Sequence, residues 1–131
     1  MTIFRYRFSI VALLLLFVLS TAVSGQQPLP AAGDETELLA LLDSNAELFD
    51  KAKACQRLAI IGTAKSVPVV TKLLADPELS HYARTALEAN PSPEVDQALR
   101  NALSELKGAQ LVGVINSVAA RNDTQAVGPL V

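Results

Sequence analysis

The sequence predicts an all-α protein, a short solenoid of stacked antiparallel helical hairpins behind an N-terminal signal segment. Pro77-Glu78-Leu79 followed by Arg84, Ala86 and Leu87 returns sixteen residues later as Pro93-Glu94-Val95 followed by Arg100, Ala102 and Leu103. Self-similarity at a fixed spacing marks units that bury their apolar faces only by stacking on their neighbours. Gly62, Asn90 and Asn122 each stand five residues before a valine (Val67, Val95 and Val127), so a longer period of 28 and then 32 residues lies above the first. One such period is one helical hairpin. Apolar residues recur at helical spacing along the chain, and sustained strand-like alternation is absent.

Residues 1–25 read as an export signal. Arg5 and Arg7 form a positive start, Ile10 to Leu19 is an almost unbroken apolar run, and small residues around Ser24 and Gly25 offer the cleavage site. The alternative is an uncleaved membrane anchor, against which stands the interruption of the run by Ser20 and Thr21, since a span needs roughly 20 apolar residues. Residues 26–33, with Pro28 and Pro30, read as a flexible lead-in, and 34–131 as the repeat domain.

The helices follow in order. Asp34 caps the first, which carries Leu38, Leu39, Leu41 and Leu42 to about Asp43. Ser44-Asn45-Ala46-Glu47 predicts a capping box opening the second, with Leu48, Ala52, Cys55, Leu58 and Ala59 along one stripe and Gly62 as a left-handed stop. The third spans about Lys65 to Ala75, with Pro68 in its first turn, where no intrahelical amide bond is lost. The fourth spans about Pro77 to Ala89, buries Leu79, Tyr82, Ala83, Ala86 and Leu87, and ends at Asn90-Pro91. Ser92 caps the fifth, Pro93 takes its first position, and Val95, Ala98, Leu99, Ala102, Leu103 and Leu106 line it as far as Gly108. The sixth, from about Ala109 to Arg121, is expected to bury Leu111, Val112, Ile115, Val118 and Ala119 and to leave Asn116 and Ser117 in solvent. Asp123 or Thr124 opens a seventh, which the chain leaves unfinished; the expectation is a piece of a longer protein or a truncated product.

Composition narrows the function classes. Without residues 1–25 the chain keeps Phe49 and Tyr82 as its only aromatics, so its core is Ala, Leu, Val and Ile, side chains that let helices approach closely. Nine basic and thirteen acidic residues remain in that part, a net charge of −4 that offers nucleic acid no attraction. Cys55 is the single cysteine, which excludes a disulfide framework within one chain, and its place on an apolar stripe marks a buried structural thiol. His81 is a lone imidazole with no second His or Cys nearby, a poor metal or catalytic site. No haem-attachment, zinc-ligand, phosphate-loop or nucleophile-elbow motif is present, so no catalytic, metal or cofactor site is assigned. The remaining candidate is a surface. Alternate helices of a hairpin stack share a row, so Arg57, Arg84 and Asn116 or Ser117 are the interaction residues expected to stand near one another.

Asp76-Pro77-Glu78-Leu79 with Ala86-Leu87, and Ser92-Pro93-Glu94-Val95 with Ala102-Leu103, resemble the HEAT-like repeats, the short variety named after the phycobilisome-lyase group. Ser80 and Asp96 stand where an arginine usually follows the valine, a departure from the family's pattern that bears on the usual inter-repeat arginine ladder. Residues 51–130 also look like the exported HEAT-repeat proteins of some bacteria. The resemblance implies a non-enzymatic scaffold that binds partner proteins in the periplasm or outside the cell. Its alternative is an accessory region of a larger exported enzyme or electron-transfer protein whose catalytic domain lies outside this chain. Bilin-lyase-like activity follows from the family name alone, and two aromatics are too few to clamp a chromophore.

Overall fold

The computed structural model describes residues 34–126 and 128; the expected signal, cleavage site and lead-in and most of the expected seventh helix lie outside the described residues. The fold is all-helical. Its α-helices are α1 (Glu35–Asp43), α2 (Leu48–Ile61), α3 (Val67–Lys72), α4 (Ser80–Ala89), α5 (Glu94–Glu105) and α6 (Gly108–Ala120). Tight 3-10 turns at Ala64–Ser66 and Leu73–Ala75 flank α3, and another at Thr124–Ala126 stands where the seventh helix was expected to open. No strand occurs among the described residues.

Several ends depart from expectation for local reasons. Asp34 caps α1 through its carboxylate, as expected, accepting the Thr36 N–H. The capping box before α2 does not form: Glu47 is the cap and lends no side-chain bond, while the Ser44 hydroxyl closes the preceding turn between the Leu41 carbonyl and the Ala46 N–H. Gly62 is extended rather than left-handed (φ −62°, ψ 139°). Its requirement is space, because a Cβ there would lie 2.5 Å from the Leu58 carbonyl oxygen. The left-handed stop is found instead at Asn122 (φ 55°), where Asn122 N–H reaches the Ala119 carbonyl and Asp123 N–H the Val118 carbonyl, closing α6 in a Schellman pattern. Gly108 is also left-handed (φ 58°), but it opens α6 rather than ending α5. Pro77 precedes α4 by a turn, which the Asp76 carboxylate holds by accepting the Glu78 and Leu79 N–H groups. Ser92 gives α5 no side-chain cap, and Pro93 stands just before its first residue.

Successive helices pair as α1 with α2, α3 with α4, and α5 with α6. Helices two apart also touch, in one series α1, α3, α5 and another α2, α4, α6. The contact of α2 with α4 is the most extensive, and Ala54, Ala83 and Ala86, all buried, are small enough to permit it. Around them Leu58, Val70, Leu74, Leu87, Val95, Leu99 and Val114 form a continuous aliphatic core, each contributing about 2 kcal/mol by burial.

The packed arc of α6 differs most from its reading. Val112 is 58% exposed and Ala119 is exposed, whereas Gly113, Val114, Ser117 and Val118 are buried. Contact with both α5 and α4 rotates the buried arc toward Gly113 and Ser117, four residues apart, and these meet polar side chains from α4. A purely apolar stripe omits such a face.

Candidate functional site

The four expected interaction residues fall into three situations. Arg84, on α4, lies across α6: its Nη1 donates to the Gly113 carbonyl at 3.2 Å and stands 3.8 Å from Glu88 Oε1. Gly113 makes this possible, since a Cβ at that position would stand 2.7 Å from Arg84 Nε. Ser117 meets the same cluster by donating its hydroxyl to Glu88 Oε1 at 2.5 Å. It is fully buried, so it is corrected from a surface residue to a helix-packing one. Asn116 remains exposed, and Arg57 is half-buried on α2. The structure therefore joins Arg84 to Ser117 through Glu88 and Gly113 and leaves Asn116 in solvent. His81 is exposed, stacked edge-on to Tyr82 with ring centroids 5.7 Å apart and with Nδ1 3.4 Å from Arg84 Nη2. No group of three or more His, Cys, Asp or Glu side chains able to hold a metal occurs among the described residues.

A polar seam, not anticipated from the sequence, runs along one end of the helices, both within pairs and between them. The Glu35 carboxylate accepts from the Thr63 N–H (2.7 Å) and hydroxyl (2.8 Å). Asn90, only 2% exposed, donates Nδ2 to the Thr63 carbonyl (2.9 Å) and Ser66 Oγ (3.2 Å) and accepts the Ser92 N–H on Oδ1 (2.9 Å). Arg121 takes up the chain from there. Its Nη1 donates to the carbonyls of Asn90 (2.7 Å), Leu87 and Glu88 (3.2 Å each), and its Nε to Asp96 Oδ1 (2.5 Å). A cation thereby meets the last carbonyls of α4, of which Leu87 also accepts the Asn90 N–H. Arg100 and Asp123 add an ion pair at 2.5 Å. The available signal was the long period itself: Asn90 sits at the position that repeats, and a polar residue recurring where the chain turns back has neighbours in the adjoining unit.

Cys55 is fully buried, and burial pushes its thiol up from 9.0 to about 11. The thiol ionises in the unfolded chain near 9.0 and in the folded chain only near 11, so its protonated form favours the fold below about pH 9 and that advantage is lost as pH rises toward 11. The stability gap between wild type and Cys55→Ala should be constant up to pH 8 and shrink by about 2 kcal/mol by pH 10.5. Urea unfolding of both proteins at the two pH values checks this; an unchanged gap would show a thiol open to solvent.

An open groove of about 680 Å³ runs between α3 and α5. Val67, Leu74, Ala98, Ala102 and Leu106 line its apolar part, and Glu94, Gln97, Asn101 and Glu105 stand exposed along its α5 rim. The rim residues fall at i, i+3, i+7 and i+11, one helical face. Among the described residues neither Glu94 nor Glu105 has an ion-pair partner, whereas Lys72 on the α3 side lies 3.6 Å from Asp43. Comparison with family models, curated proteins and solved structures returns no match for this chain.

Proposed function

We propose that the chain is an exported, non-enzymatic helical-repeat scaffold, a short solenoid of the HEAT-like kind, that binds protein partners. The observation that carries this reading is the α3–α5 groove, with its apolar lining and exposed polar rim, the combination by which helical surfaces receive a partner's apolar side chains. Two series of alternate helices in contact support the solenoid, and the charged, apolar and small-residue sequence of segments at the N-terminus supports export. Arg57, Arg84 and Asn116 lie on the opposite series, α2, α4 and α6, and form a second candidate surface.

A photo-crosslinking side chain placed at Asn101, on the groove rim, should give discrete protein adducts recovered from the exported fraction. The same group at Glu78, exposed in the turn before α4 and on neither candidate surface, should give none. Absence of adducts at Asn101 across growth conditions would remove the scaffold reading.

A further inference from the structure

We infer that the α3–α5 groove is filled by α2 of a second copy of this chain, giving a head-to-tail self-association. The inference rests on the scaffold reading and names its partner. Three of the large hydrophobic residues left exposed, Leu48, Phe49 and Ile60, belong to α2. Phe49 and Ile60, 66% and 74% exposed, are eleven residues apart, so they share one face of the helix about 16 Å apart. Lys53 and Gln56 fall on that face between them, and Lys53 Nζ sits 5.5 Å from the centre of the Phe49 ring.

The groove is matched to this face in length and in charge. Glu94 and Glu105, at its two ends on α5, are also eleven residues apart, about 16 Å. Both carboxylates lack a cation within the described part of the chain, and the α2 face supplies one in Lys53. On the α5 side the apolar lining is the short Ala98 and Ala102, which leaves room above Val67 and Leu74 for the larger Phe49 and Ile60. The α2 face is apolar and basic, the groove is apolar with an acidic α5 rim and a Lys72 already paired with Asp43, and among the described residues no other element covers either.

The donor and the receiving faces lie on different helices, so the contact is heterologous and every copy retains one free face of each kind. Association therefore grows with concentration instead of stopping at a dimer. The contact rests on two large side chains and one kind of ion pair, which places it among transient associations.

The protein purified as the cell processes it should show a weight-average mass in sedimentation equilibrium that rises between roughly 5 and 500 μM, the range of weak contacts. Phe49→Ser with Ile60→Ser, or Ala98→Arg in the groove, should each weaken self-association at least tenfold while leaving the helical circular dichroism unchanged. Mixing those two variants should restore a 1:1 heterodimer that does not grow further, because one face of each kind remains intact. Glu94→Lys should weaken association and Lys53→Glu in the other copy should partly restore it. A monomer throughout the range, or association indifferent to the α2 and groove substitutions, would overturn the proposal. Adducts from Asn101 to other proteins with no doubled chain would overturn self-association alone and leave the scaffold reading standing.

Discussion

Arg121→Ala should cost about 3 kcal/mol of folding stability, lowering the thermal midpoint by roughly 15 °C. The side chain is 13% exposed and joins the carbonyls at the end of α4 to the Asp96 carboxylate near the start of α5. Truncation leaves the carbonyls of Leu87, Glu88 and Asn90 without this donor and removes the cation from Asp96. Arg121→Lys should recover less than half of the loss, because an ammonium lacks the planar fork that serves carbonyls and carboxylate together. Urea unfolding with far-ultraviolet circular dichroism is the measurement. A loss below 1 kcal/mol would mean that water replaces the guanidinium at no penalty.

Asn90→Leu should cost a comparable amount, about 3 kcal/mol, although the two side chains share the same branched outline. The substitution strands the Ser92 N–H at a site that is 2% exposed, takes one donor from the Thr63 carbonyl and from the Ser66 hydroxyl, which keep their bond to each other, and removes the link between the turn before α3 and the end of α4. Combined with Arg121→Ala the loss should fall short of the sum by at least about 1 kcal/mol, since Arg121 bonds the backbone that Asn90 holds. Strict additivity in that double-mutant cycle would show two independent contacts rather than one seam.

The helical class and most of the buried stripes were legible because they depend on spacing alone. Leu38, Leu58, Leu79, Leu87, Val95 and Leu99 fall on the faces their periodicity assigns. Cys55 is buried among them for the same reason. Ends were less legible because they depend on which of several polar groups wins a given backbone donor or acceptor: Ser44 closed the turn behind it instead of capping the helix ahead. The face of α6 was misread because Ser117 looks solvent-facing until Glu88 on α4 is there to accept its hydroxyl proton. Of the candidate surface, the meeting of α4 and α6 at Arg84 and Ser117 followed from the row argument. The groove did not, since it is made by two helices some thirty residues apart and no single stripe contains it.

The placement of the seam has a mechanical consequence. Thr63, Asn90 and Arg121 all stand where the chain leaves α2, α4 and α6, and Glu35 and Asp96 stand at the starts of α1 and α5. At the other end of the helices, the polar link between successive pairs among the described residues is the exposed Lys72–Asp43 ion pair. The helical pairs are thus bound like leaves along one spine, stiff where the hydrogen bonds run and compliant at the fore-edge. The groove starts beside Ala64 and Glu94 near that spine and ends at Glu105 and Leu106 away from it, so opening its outer end would break no bond of the seam.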